Sequence, residues 1–141
     1  RVYGVDFSRE SIAVSRGRNR RLIRAGRVAI CCGCVSDLPF ADDLFDLVTA
    51  IETHYFWPDL VSDMQVVLRV LKPGGRLIII GEAYKGGKYE DRNQKWVQWG
   101  DMIYHSVDEL GEFFAAAGFS DVQVVEEYDK GWVCGVGQKP F

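Results

Sequence analysis

Histidine and cysteine, the usual ligands of zinc, are few and badly spaced. There are two histidines, His54 and His105. Three of the four cysteines, Cys31, Cys32 and Cys34, crowd into "AICCGC", and Cys134 lies far away in "WVCGVG". A zinc site needs C-x2-C or a similar spacing with a second pair of ligands. C-C-x-C instead sends neighbouring side chains to opposite faces of a strand. The cysteines therefore read as small, buried apolar groups in a reducing compartment, and no metal is expected. No apolar run is long enough to cross a bilayer and no segment has the form of a secretory leader. The cytoplasm is the default expectation, with no membrane partner. Positive charge is short as well: 17 Lys and Arg stand against 20 Asp and Glu. That balance argues against a general nucleic-acid binder. Repeats, low-complexity tracts and linkers are lacking, so residues 1–141 are expected to form one domain.

What is present alternates between two periodicities. "VYGVD", "RVAICCG", "FDLVTAI" and "RLIIIGE" are short, nearly unbroken apolar runs, the pattern of parallel strands covered on both faces. Between the first two lies "SRESIAVSRGRNRRLIRAG", a predicted helix with Ser8 as its cap and Gly26 as its stop. "DLVSDMQVVLRVL" has Leu60, Met64, Val67, Leu68 and Leu71 at helical spacing, and "KPGG" is expected to end it. "AYKGGKYEDRNQKWVQWGDMIYH" shows no period. Ser106 and Glu109 form a capping box ahead of Val107, Leu110, Phe113, Phe114 and Ala117. "DVQVVEEY" and "GWVCGVGQ" close the chain as a predicted hairpin. Strands alternating with helices imply an α/β fold, a Rossmann-like, doubly wound, mostly parallel sheet with a C-terminal antiparallel hairpin.

In such sheets ligands bind beyond the carboxyl ends of the strands. Asp6 stands at the first of these ends. It can accept two hydrogen bonds from a ribose diol, or it can serve as a helix cap. Six arginines between Arg16 and Arg27 are either an RNA-facing patch or, as the acidic total favours, the solvated side of a helix whose Ile12, Leu22 and Ile23 face inward. Residues 84–105 gather Tyr84, Tyr89, Trp96, Trp99 and Tyr104 among Gly86, Gly87 and Gly100. They form either a movable lid, with Trp96 and Trp99 near the strand that ends at Glu82, or a docked connection that packs its rings into the core.

"GVDFS", "GCVSDLPFADDLFDLVTAIETHYFWPDL", "VLRVLKPGGRLIIIGE" and "SVDELGEFFAAAGFSDVQV", in that order and spacing, resemble class I S-adenosylmethionine-dependent methyltransferases of the small-molecule type. The likeness runs over nearly the whole chain. It implies a seven-stranded sheet in the order 3-2-1-4-5-7-6, S-adenosyl-L-methionine as cofactor and a small-molecule methyl acceptor. It further implies that Asp6 holds the ribose hydroxyls and that Phe7 flanks the adenine. Gly33, Cys34 and Val35 would line the adenine edge, and Ile51 and Glu52 would lie near the ribose and methionyl part. Similar proteins often have an aspartate where Cys34 stands, and a thiol is a poor acceptor. The cofactor brings its own activated methyl group, so the protein has mainly to align the acceptor. His54 is the candidate base, with Glu52 and Tyr55 close by in sequence; otherwise it is a cleft residue that holds a backbone group. The Asx-Pro-Pro-aromatic signature of amino methyltransferases is replaced by "ETHYF", so a nucleic-acid substrate is not expected.

In the family so resembled, one strand and a glycine-rich loop precede the strand that matches "VYGVD". The expectation is therefore that the 141 residues are an incomplete, C-terminal portion of the fold with its first strand missing. Two open strand edges would then invite pairing, for instance in a homodimer, and cofactor binding would be millimolar or undetectable. The alternatives are a non-catalytic methyltransferase-like fragment and a nicotinamide-binding Rossmann oxidoreductase, which could also use Asp6 on a ribose.

Overall fold

The structure, a computed structural model, describes residues 1–100 and 102–141, with Trp99 described by its backbone alone. The chain divides into two compact units, Arg1–Pro39 and Phe40–Phe141.

The first unit is built on a pair of parallel strands. β1 (Val2–Asp6) runs beside β2 (Val28–Cys32), with Val2 opposite Val28 and Asp6 opposite Cys32. Parallel neighbours need a crossover, here α1 (Arg9–Arg18) and α2 (Arg20–Arg24). The sequence predicts one continuous helix, and the structure breaks it at Asn19. The Asn19 backbone N–H and its side-chain Nδ2 both donate to Ser15 O, at 3.0 and 2.9 Å, which closes α1. Asparagine offers the backbone this local alternative to a regular helix. Ser8 caps α1 by accepting the Ser11 N–H at 3.2 Å, and Gly26 takes φ +68° on the way to β2. Ile12 is buried as expected, whereas Leu22 is largely open to solvent.

The second unit is a four-stranded sheet in the order β3-β4-β6-β5. β3 (Phe45–Ile51) and β4 (Leu71–Gly81) are parallel and joined through α3 (Leu60–Val70), which Asp59 caps. "KPGG" ends α3, but it lies inside β4 rather than in a separate turn. Phe45 faces Leu71 and Leu47 faces Arg76, so the extra residues form an irregularity in the ladder. Gly75 is needed there: a Cβ would stand 2.8 Å from Lys72 O and 3.0 Å from Phe45 O. The segment without a period holds a further helix, α4 (Glu90–Trp99). Its inward residue is the buried polar Asn93, so an apolar stripe gives no clue to it. α5 (Val107–Ala116) begins with the expected capping box. β5 (Ser120–Glu127) and β6 (Trp132–Gln138) form the expected hairpin, with β6 antiparallel to β4.

The four cysteines are free thiols but are not buried as expected. Cys32 and Cys34 are exposed, and Cys31 and Cys134 are half-buried. Cys32 ends its strand, and Cys34 opens a tight turn in which the Asp37 N–H donates to Cys34 O at 3.1 Å. No helix among the described residues is long and apolar enough to cross a membrane.

Phe114 anchors the core of the second unit. It is fully buried and meets Phe119 edge to face at 5.4 Å. Gly135 of β6 leaves room for it, since a Cβ there would fall 2.7 Å from the Phe114 ring. Phe114→Ala should lower stability in a urea titration by about 3–5 kcal/mol, through lost burial and the cavity left behind. A loss below about 1 kcal/mol would contradict this role.

Candidate functional site

In the first unit, the carboxyl ends of β1 and β2 bring Asp6, Phe7 and Gly33 together. Asp6 ends β1, and its backbone carbonyl accepts the Gly33 N–H at 3.1 Å. Its Oδ1 accepts the Ser8 N–H at 2.8 Å. The helix cap is thus Ser8, not Asp6. The Asp6 carboxylate is fixed by one oxygen, and no donor to its Oδ2 is found among the described residues. Phe7, next in the chain, is 76% exposed, a bare aromatic ring beside that carboxylate. Gly33 leaves little space for a side chain, since a Cβ would approach Val5 Cγ1 at 3.1 Å and Pro39 Cδ at 3.4 Å. Cys34 and half-buried Val35 lie in the turn that follows, where the Cys34 thiol is 3.7 Å from Ser36 Oγ. A carboxylate with one free oxygen, next to an open ring, can hold a vicinal diol and a flat heterocycle.

In the second unit, Ile51 ends β3, and Glu52, His54 and Tyr55 follow it. Ile51 is 56% exposed. Glu52 extends the ladder by one bond, N–H to Ile80 O at 2.9 Å, and it does so at φ +56°. A left-handed backbone at a non-glycine residue costs on the order of 1–2 kcal/mol, and such strain clusters at functional positions. His54 and Tyr55 form a short 3₁₀ turn and are both buried. Tyr55 Oη accepts the Ala83 N–H at 3.0 Å, and its carbonyl accepts the Ile103 N–H at 2.9 Å. Glu82 follows β4. Arg92 of α4 donates to the Glu82 carbonyl at 3.0 Å, and its Nη1 lies 3.9 Å from the Glu82 carboxylate. The same guanidinium sits 4.3 Å from the Trp96 ring and 4.8 Å from the Tyr89 ring.

Of the two readings of residues 84–105, a lid or a docked connection, the buried rings of the described residues fit the docked connection. Tyr84, Met102 and Tyr104 are buried; Met102 and Tyr104 pack in one cluster with Tyr55 and Ala83, and Trp96 rests against it. Trp96 lies at the carboxyl end of β4 through its contact with Arg92, while the Trp99 side chain lies outside the described residues. Glu82 and Arg92 were not among the candidate residues. A parallel was visible for Glu82, because it ends an apolar run as Glu52 does. Arg92 had no such sign, being inside a segment with no period.

Electrostatics separates the two candidate proton carriers. Desolvation raises the Glu52 carboxyl above its usual range, and the charge of Glu82 adds to this. The Glu82 N–H, the Tyr55 hydroxyl and Arg92 oppose it. Burial, with a smaller repulsion from His105, lowers His54 to about 4, so its imidazole is neutral at pH 7. Its Nδ1 is buried and has no hydrogen-bond partner among the described residues.

Residues 1–79 match the family described as "Methyltransferase domain". The demethylmenaquinone methyltransferase of Shouchella clausii is 28% identical over 167 residues, covering 99% of this chain and 68% of that protein. That of Anoxybacillus flavithermus is 31% identical, covering 87% and 61%. Methyltransferase GfsG of Streptomyces halstedii is 39% identical over 85 residues, 60% of this chain and 31% of that protein. The chain thus spans from about a third to about two thirds of these relatives. Among solved structures, a chain in the complex between the Haloferax volcanii Trm112 methyltransferase activator and a methyltransferase superposes with a TM-score of 0.82. It is 23% identical, with 99% of this chain and 72% of that chain covered. Haemonchus contortus phosphoethanolamine N-methyltransferase 2, in complex with S-adenosyl-L-methionine, gives 0.85 at 18% identity, with 99% and 43% covered. These likenesses show the expected Rossmann-like fold.

Burial of His54 generates a pH prediction. The native imidazole titrates at about 4 and the unfolded one near 6.5. Below pH 6.5 the unfolded chain takes up a proton that the native state refuses, so stability falls as pH drops from 6.5 to 4. The loss from this residue should reach about 3 kcal/mol. His54→Gln should flatten that interval in urea titrations at stepped pH. An unchanged pH slope would show that His54 titrates normally.

Proposed function

Since the chain belongs to the methyltransferase domain family, we propose that it serves S-adenosylmethionine-dependent methyl transfer to a small-molecule acceptor. The observation that carries this reading is the Asp6 carboxylate, locked through the Ser8 N–H and open at Oδ2, beside the exposed Phe7 ring. That arrangement fits an adenosyl group. Asp6 would accept from the ribose hydroxyls and Phe7 would cover one face of the adenine. Adenine has no carboxylate partner at Cys34 and relies on backbone groups and on packing with Phe7 and Val35. When bound, the cofactor supplies a methyl group on a positively charged sulfur. The chain's own residues therefore have to bind, orient and manage a proton. Several relatives are named for demethylmenaquinone, which supports an apolar ring compound as the acceptor class.

For the proton, Glu52 is the stronger candidate and His54 the weaker. A base is effective when its pKa lies near the working pH. Glu52 is shifted upward, toward neutrality, and stays exposed, whereas His54 is shifted away from it and is buried. His54 would act by packing: its ring lies 4.0 Å from that of Tyr55, which holds the Ala83 N–H. The family match weighs against a nicotinamide oxidoreductase, and no feature of the described residues favours one.

Two measurements test this reading. In an otherwise complete enzyme, Asp6→Ala should weaken S-adenosylhomocysteine binding in calorimetry by about 2–3 kcal/mol, through lost charge-assisted bonds. An unchanged dissociation constant would leave Asp6 a purely structural residue. Glu52→Gln should lower turnover by about 10²-fold with S-adenosylhomocysteine affinity unaltered. Full activity in that variant, or loss only in His54→Gln, would move the proton role elsewhere.

A further inference from the structure

Charge is divided unevenly along the chain. Residues 1–39 contain eight arginines and no lysine against three carboxylates, Asp6, Glu10 and Asp37, although the whole chain is acidic. All seven ion pairs found among the described residues lie in the second unit. None of the eight arginines of the first unit has a carboxylate partner there. Four of them, Arg1, Arg16, Arg20 and Arg24, line an open surface hollow of about 530 Å³ together with Ile23, Val28, Ala29 and Ile30. A second hollow of about 380 Å³ shares Arg16 and reaches Arg9 and Cys32. Together they follow β2 from Val28 to Cys32, about 13 Å at the rise of a strand.

β2 is an edge strand, paired with β1 alone. Arg27 O accepts the Val2 N–H, and the Gly33 N–H donates to Asp6 O. Odd-numbered residues therefore turn their backbone groups toward β1. Val28, Ile30 and Cys32 turn theirs outward, into the groove. Arg16 covers one of them: its Nε and Nη2 donate to Ile30 O at 3.2 and 2.7 Å. The groove thus combines apolar side chains, a backbone edge covered only at Ile30 O, and guanidinium groups without a carboxylate partner among the described residues.

We propose that this groove binds an extended, acidic segment of a partner protein. The segment adds as a strand along β2 and sets its carboxylates against Arg16, Arg20 and Arg24. Strand addition uses the free N–H and C=O groups of the edge, and Arg–carboxylate pairs select the partner by charge. Arg16 has a double part: it blocks the edge against unwanted pairing, and it releases Ile30 O when a carboxylate takes its guanidinium. A nucleic acid fits less well. No aromatic side chain lines either hollow to stack a base, and a phosphate backbone has no use for the apolar side chains or the strand edge.

The test uses a fluorescently labelled peptide of sequence Asp-Val-Glu-Val-Asp-Val in an anisotropy titration. It needs no cofactor, so its outcome is independent of the methyl-transfer reading. The expected result is saturable binding that weakens at least tenfold from 50 to 300 mM salt and at least tenfold in Arg20→Gln/Arg24→Gln. Both positions are exposed, and circular dichroism checks that the variant is folded. Amide hydrogen exchange at Val28 and Ile30 should slow when the peptide is present. Four results overturn the proposal: no binding, equal binding by the Asn/Gln version of the peptide, tighter binding of a ten-nucleotide oligouridylate, or unchanged exchange at Val28 and Ile30.

Discussion

Parallel pairing is the constraint from which the rest follows. Each unit rests on one parallel pair, β1 with β2 and β3 with β4. A parallel pair sends both strands out at the same end, so the chain must leave that end in loops before crossing back. In the first unit those loops begin at Asp6 and Gly33, and one hydrogen bond joins the two residues. In the second they begin at Glu52 and Glu82, and the Glu52 N–H still bonds to Ile80 of the neighbouring strand. Polar groups gather at these ends because the strand interiors, covered by helices, have to be apolar.

Packing then decides what those polar groups can do. The Glu52 N–H makes the last ladder bond from a left-handed backbone, and desolvation of its carboxyl, with the charge of Glu82 adding to it, raises its affinity for a proton. The strap after β4 is held by Tyr55, whose hydroxyl and carbonyl both accept backbone N–H groups from it. His54 is sealed in beside Tyr55 and kept neutral. Arg92 ties α4 to the end of β4 and stacks near two rings. In the first unit, by contrast, none of the arginines forms an ion pair among the described residues, and Arg16 spends its guanidinium on Ile30 O.

The strands, the hairpin and the capping box were legible because each has a pattern that follows from its physics. Apolar runs mark strands covered on both faces, and Ser106 with Glu109 marks a helix start. Asp6 was legible by position, as the first polar residue after such a run. Its freedom from capping was not, because Asp6 and Ser8 are both good caps and only the geometry assigns the role to Ser8. α4 stayed hidden because its inward residue is Asn93, so no apolar stripe exists to read. The exposure of Cys32 and Cys34 was missed because their mean behaviour, burial, was applied to a strand end and a turn, where little packs over them. Glu52 is legible as a cofactor neighbour, but its upward shift comes first from desolvation in the folded chain, and the Glu82 charge that adds to it lies thirty residues away in sequence.

The central claim is that the carboxyl end of β1 holds an adenosyl group through Asp6. A crystal structure of the protein with S-adenosylhomocysteine tests it directly. The account predicts that both ribose hydroxyls lie within hydrogen-bond distance of the Asp6 carboxylate, with the adenine against the Phe7 ring and the Ser8 N–H still bonded to Oδ1. A ligand bound elsewhere, or a ribose that leaves Asp6 to solvent, would contradict it.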